Sequence, residues 1–268
     1  MNILIASAIV PELEALSQAD WVSDSNHQVN TSFVPLDWSS CDESALELSL
    51  RLQAAETPIR RCAVTIGPKN RERFLKTLAA LKFDRLIRVD EEEYDLRFCP
   101  DAVAQVIAAL AQEEAADVIL MGRQNPLGEN AQTPLLVAEL LQIPCLTQVM
   151  QVELLEDRIL KVSCRVDGGL QTYRVQAPCV LSIGDVPSTY LRVPTLKDKM
   201  KFGKLPIEQK SIQDFPEAVC SLHENNVELF SLRPIVQERE GIPVSGETMQ
   251  EKVHNLIDGP LKDWVMRK

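Results

Sequence analysis

The sequence predicts an α/β fold: a doubly wound, mostly parallel sheet, followed by an antiparallel β extension and a C-terminal arm. Up to residue 143 the chain repeats one alternation of short apolar run, turn and amphipathic helix. That rhythm implies right-handed crossovers and a three-layer sheet. After Pro144 the apolar period changes to two, and Asp167-Gly168-Gly169 supplies a strong hairpin signal. From Asp185 the pattern is broken by Pro187, Pro194, Pro206, Pro216 and Pro234. A long, weakly patterned tail of this kind is either disordered or ordered on a partner.

In chain order, Ile3 to Ala6 reads as a first strand. Ser32 to Leu36 reads as a weaker second one, with Pro35 marking an edge or a strand end. A helix over 42–55 places Ala45, Leu46, Leu48 and Leu52 at helical spacing. Cys62 to Ile66 is a strand, Gly67-Pro68 a turn, and 69–82 a helix with Phe74, Leu75, Leu78 and Leu81 on one face. Leu86 to Val89 follows as a strand, the acidic run Asp90 to Glu93 as a solvated loop, and 101–114 as a helix turning Val103, Val106, Ile107 and Leu110 inward. Val118 to Met121 has the length of a buried strand. Gln148 to Leu154, Ile159 to Val166 and Gln171 to Ala177 make the antiparallel run, and Cys179 to Ile183 is one more buried strand. Gly246 to Ile257 suits a terminal helix.

The segment from Asp117 to Pro134 carries the most functional information, because strand, polar loop and helix start follow one another directly. Thr133 and Pro134 offer a hydroxyl N-cap and a first-turn proline. The new helix then points unpaired N–H groups at the loop, where its dipole favours an anion such as a phosphate. Gln124, Asn125, Asn130, Gln132 and Thr133 add uncharged contacts. The alternative is an ordinary strand-to-helix connection, common in parallel sheets.

Composition bounds the rest. A chain of 268 residues suits one large domain, or one with an appendage, at about 150 residues per domain. The hydrophobic share of 45% supports a sizeable core, and a net charge of -11 leaves no basic footprint for nucleic acid. The seven cysteines (Cys41, Cys62, Cys99, Cys145, Cys164, Cys179 and Cys220) are odd in number, lack a C-x-x-C pair and fall mostly in apolar runs. They read as reduced core thiols of a cytoplasmic protein. The start Met1-Asn2-Ile3 lacks the basic lead of a secretory signal, and no stretch of about 18 apolar residues suggests membrane insertion. Neither G-x-G-x-x-G nor a P-loop occurs, His27, His223 and His254 fall in polar or tail segments, and no G-x-S-x-G elbow exists. The chain reads as a binder rather than a catalyst.

Several spaced signals together resemble the beta subunit of electron transfer flavoproteins. They are Asp42-Glu-x-Ala-Leu-Glu-x-x-Leu-Arg-Leu52, Ile66-Gly-Pro68 with Thr77-Leu-Ala-Ala-Leu-x-x-Asp-Arg-x-Ile87, and Gly122-x-Gln124 with Gln132-Thr133. Val166-Asp-Gly-Gly-Leu-Gln-Thr172 with Pro178-x-Val-Leu-Ser182 is the most specific, and Thr195-Leu-Lys-x-Lys-Met-Lys201 looks like the family's partner-recognition loop. The resemblance implies a nucleotide-binding α/β domain over 1–208, with its β meander at 146–183, and an arm over 209–268 that packs on an alpha subunit. That alpha subunit carries the redox FAD; the beta subunit holds AMP, or a second FAD in bifurcating members. The implied nucleotide contacts are Ala6, then Ser39, Ser40, Cys41 and Asp42, then Ile66. They continue through Gly122, Arg123, Gln124, Asn125, Pro126, Leu127, Gly128, Glu129, Asn130, Ala131, Gln132 and Thr133. Leu196 takes the position of the anchor that docks a flavin-dependent dehydrogenase, with Lys197, Lys199, Met200 and Lys201 around it. A quinone oxidoreductase is a further acceptor in the family.

This chain departs from the family at several places. Ser39-Ser40-Cys41 stands where members often have Asn-Pro-Phe, Ala8 where they have a basic residue, and Arg165 where many have glutamate. Gly128-Glu-Asn-Ala-Gln132 is nearer to bifurcating members, which leaves AMP and FAD both open. A stand-alone adenine-nucleotide sensor of the same fold is the alternative, and a nucleotide hydrolase ranks last for want of a phosphate-gripping lysine.

Overall fold

The structure is a computed structural model that describes residues 1–268 apart from 53–57, 93, 128–130, 157, 188, 225–226, 228, 234–240 and 263–268. Its strands are β1 (Asn2–Ala6), β2 (Ile9–Pro11), β3 (Leu36–Trp38), β4 (Arg60–Ile66), β5 (Arg85–Asp90), β6 (Val118–Gly122), β7 (Cys145–Glu156), β8 (Ile159–Val166), β9 (Gly169–Gln176), β10 (Cys179–Ile183) and β11 (Glu208–Ser211). Among the described residues a nine-stranded sheet runs β11-β5-β4-β1-β6-β10-β7-β8-β9, with β2 and β3 forming a separate pair. Every neighbour pair from β11 to β7 is parallel. The β7-β8 and β8-β9 pairs are antiparallel, which realises the expected β extension.

Helices cover both faces of the parallel part. They are α1 (Ser40–Arg51), α2 (Glu72–Ala80), α3 (Pro100–Glu113), α4 (Thr133–Leu141), α5 (Leu196–Phe202), α6 (Pro216–Glu224) and α7 (Met249–Asp258). Ile3 and Ile5 of β1 pack with Ala45, Leu46, Leu75 and Leu78 from α1 and α2. Leu4 of the same strand packs on the other face with Val106, Leu110 and Val137 from α3 and α4. A strand buried on both faces must be apolar at every position, which is why β1, β6 and β10 read as continuous apolar runs. The thiols inside this core are free, as expected. Burial pushes Cys62 and Cys179 up to about 12, so they stay protonated and inert.

Three expectations are revised. Residues 32–35 form no strand: pairing starts at Leu36 opposite Pro11, outside the main sheet. Pro35 lacks an N–H and contributes only its carbonyl, which accepts from Glu12 at 2.9 Å. The lysine-rich segment expected to be irregular is helix α5, begun by Thr195, whose hydroxyl accepts from the Asp198 amide at 3.2 Å. Finally, residues 209–224, the start of the expected arm, lie against the α/β body. Strand β11 extends the sheet beyond β5, and Ile212, Phe215 and Ala218 are buried in the α3 layer. Arg85 ties this edge down by pairing with Glu208, Glu113 and Glu114. The first expected helix is described to Arg51, and its expected end at 55 lies outside the described residues.

Candidate functional site

The chain leaves β1 toward β4 and β5 on one side and returns to β6 on the other. Helix α2 covers one face and α3 the opposite one, so the connections diverge around β1. A crevice therefore opens at the C-terminal ends of the strands beside β1, where open α/β sheets place ligands. Ala6, Ile66 and Gly122 are the last residues of β1, β4 and β6.

A cavity of about 520 Å³ lies at this end of the sheet. Ser39, Ser40 and Cys41 line it from the start of α1, and Gln124, Asn125 and Pro126 line it from the loop after β6. Six residues expected at the site on sequence grounds thus meet in one space. The β2-β3 pair and Glu12 to Glu14 form an outer wall, and Asp185 closes the side after β10. This wall is not legible in the residue pattern, because strands of three residues are too short for a period.

Asp42 sits beneath the cavity and is 5% exposed. Its carboxylate accepts the Gly122 amide at 2.7 Å and the Ala8 amide at 3.2 Å. Burial lifts its pKa to about 6, while these amides and the Ser39 hydroxyl oppose the rise. A Cβ on Gly122 would fall 2.5 Å from Asp42 Oδ1, so this close approach requires glycine. Cys41, beside it, is raised above the usual thiol range by burial and by the Asp42 charge.

The Arg123 amide extends the β6-β10 ladder by donating to the Ile183 carbonyl at 2.8 Å, and its guanidinium donates to Gln124 Oε1 at 2.6 Å. Asn125 closes a tight turn by accepting the Leu127 amide at 2.9 Å. Gly128, Glu129 and Asn130 lie outside the described residues. Ala131 adopts φ 54°, and Gln132, not Thr133, is the N-cap of α4. Gln132 already has helical angles, and its carbonyl accepts from Leu135 and Leu136, so Thr133 lies inside the first turn and its hydroxyl caps nothing.

The segment expected to dock a partner stands apart from this crevice in character. Arg192 pairs with Glu47 of α1 at 2.7 Å, and the Leu191 amide donates to Glu43 at 3.0 Å, so the chain is fastened just before α5. Beyond that point Val193, Leu196 and Met200 are 84%, 75% and 72% exposed. Lys197, Lys199 and Lys201 are exposed around them.

An open doubly wound sheet with a cavity at its strand ends defines a ligand-binding α/β domain. Residues 34–214 match the electron transfer flavoprotein domain, and the chain belongs to that family. It is 35% identical to the human electron transfer flavoprotein subunit beta over 80% of this chain and 81% of that one. It is 30% identical to the mitochondrial beta subunit of Arabidopsis thaliana over 86% of each. An Escherichia coli (strain K12) protein, provisionally named electron transfer flavoprotein subunit YgcR, is 29% identical over 96% of both. No helix among the described residues is long and apolar enough to cross a membrane.

Proposed function

We propose that this chain is the beta subunit of a cytoplasmic electron transfer flavoprotein. It pairs with an alpha subunit that carries FAD and holds AMP, or a second FAD, in the crevice at the ends of β1, β4 and β6. The observation that carries this reading is the convergence of Ser39 to Cys41 and Gln124 to Pro126 on one cavity, in a chain similar to beta subunits along most of its length. Ala6, Asp42 and Ile66 frame the floor, and the stretch Gly122 to Thr133 supplies the side that meets the phosphate. Electron transfer needs cofactors held in place rather than acid–base groups.

Leu196 and Met200 are one helical turn apart on α5, suited to enter a pocket of a flavin-dependent dehydrogenase, while Lys197, Lys199 and Lys201 at the rim steer the encounter. The terminal helix supports pairing. On α7 Met249, Val253 and Ile257 recur every four residues and are 76%, 48% and 42% exposed. Such a stripe calls for an external apolar surface, which a solitary sensor lacks. The test is co-expression with an alpha subunit, followed by denaturation and chromatography of the released nucleotides. The reading expects a stable heterodimer releasing FAD together with AMP, or FAD in excess of the alpha site. A chain that stays monomeric and binds adenine nucleotide alone supports the sensor instead.

A further inference from the structure

One buried carboxylate joins the three pieces of chain that make the crevice. Asp42 lies in the first turn of α1, Ala8 just past the end of β1, and Gly122 at the end of β6. Its two oxygens are taken by backbone amides, Oδ1 by Gly122 and Oδ2 by Ala8. Gly122 has no room for a side chain because the carboxylate fills that space. The nearby titratable groups do not neutralise it: Cys41 and Glu43 share its helix, Arg123 follows β6, Asp37 lies in the middle of β3, and Asp185 follows β10. Beyond β2 stand Glu12 and Glu14, and the β1 side offers only Ser7 and Ala8. Among the described residues no salt bridge involves Asp42. Its counter-charges are the two N–H dipoles.

We propose that Asp42 is the positioning residue of the nucleotide crevice: its ionised carboxylate, touching no ligand, locks the exits of β1 and β6 to the start of α1, and protonation unlocks them. The inference rests on the nucleotide reading above. Protonation removes the charge that makes both amide bonds strong and turns one oxygen into a hydroxyl, so both arms slacken although each oxygen can still accept.

Ligand retention and fold stability then move in opposite directions. The folded pKa of about 6 lies above the ordinary carboxylate value of 3.8. The contribution of Asp42 to stability is therefore fully present below the ordinary value and lost as pH rises through about 6. Nucleotide retention instead requires the ionised form and is lost as pH falls through the same point. A residue with a merely structural role would move both the same way.

The experiment measures AMP and FAD binding to the full chain in its purified complex from about pH 8 down to about pH 5, with circular dichroism confirming the fold at each step. Wild type is expected to bind tightly above about pH 6.5 and to weaken below it, approaching about tenfold per pH unit. Asp42→Asn should bind about tenfold or more weakly near neutral pH, with a flat profile. Gly122→Ala should show the same loss, and the double variant no more than either alone, because both break one lock. If either variant fails to fold, the wild-type FAD profile decides, because the AMP phosphate itself takes up a proton near about pH 6 whereas the phosphodiesters of FAD do not titrate there. A flat wild-type profile, or Asp42→Asn binding as wild type, overturns the lock and leaves the nucleotide reading standing. A wild type that binds neither AMP nor FAD at any pH overturns both.

Discussion

The crevice and the segment after Asp185 solve opposite problems with similar material. In the crevice, backbone from three distant parts of the chain is drawn onto one buried side chain, so ligand-facing groups are held by bonds the protein makes with itself. Asp42 and Gly122 are eighty residues apart and meet at 2.7 Å. In the later segment β11 and α6 are fastened to the body, whereas α5 and α7 leave apolar side chains exposed. On the proposed reading, one region is shaped before its ligand arrives, and the other has its burial completed by a partner. Substitutions in the first should change what is bound, and substitutions in the second should change how fast and how tightly other proteins engage.

The largest effect is expected at the boundary that defines the crevice. Gly122→Ala forces a Cβ against the Asp42 carboxylate, which should cost about 1–3 kcal/mol of stability as overpacking. Urea unfolding measures that loss, and the same sample should retain less than about a tenth of its nucleotide. Full retention in this variant would mean that the contact of Gly122 with Asp42 does not shape the site.

Next comes Leu196→Ala in the outward region. It should slow electron transfer from the cognate dehydrogenase about tenfold, roughly 1.4 kcal/mol, with nucleotide content and heterodimer assembly unchanged. Stopped-flow reduction with dehydrogenase limiting reads this directly. A wild-type rate returns Leu196 to an ordinary exposed residue.

Thr133→Val should be milder. Because Gln132 holds the N-cap position without a side-chain cap bond and Thr133 lies inside the helix, only a hydroxyl contact to the ligand remains, worth about 0.5–1.5 kcal/mol of nucleotide affinity. Isothermal titration should find that loss while the thermal midpoint of the nucleotide-free protein stays put. A lowered midpoint would show that the hydroxyl supports the helix after all.

The smallest effect is kinetic. Replacing Lys197, Lys199 and Lys201 with glutamine should flatten the ionic-strength dependence of association with the dehydrogenase. Rates at high salt should hardly move. An unchanged salt dependence would place the lysines outside the encounter surface.

The same contrast explains what could be read in the sequence. Strands β1, β4, β6 and β10 were legible because burial on both faces demands an unbroken apolar run. The hairpin at Asp167-Gly168 was legible because its turn constrains residue type, and Gly168 indeed has φ 86°. Ser39 to Cys41 join Gln124 to Pro126 at the site through the family resemblance, while the loop after β6 is also legible as strand, polar loop and helix start in immediate succession. Strand β11 was invisible: Glu208, Gln209, Lys210 and Ser211 are polar, and they pair only because β5 leaves an edge open. Helix α5 was hidden by Pro194 and Pro206 on either side, although Thr195 followed by Asp198 was a capping signal in plain view. The lock at Asp42 could not be seen at all, because its partners are backbone amides, which leave no trace in residue type.

The most direct test of the account is the nucleotide content of the purified complex with an alpha subunit, measured for wild type, Gly122→Ala and Leu196→Ala side by side. The account predicts adenine nucleotide beyond that of the alpha subunit in wild type and in Leu196→Ala, and its loss in Gly122→Ala. Equal content in all of them, or none beyond the alpha subunit's own FAD in wild type, would contradict it.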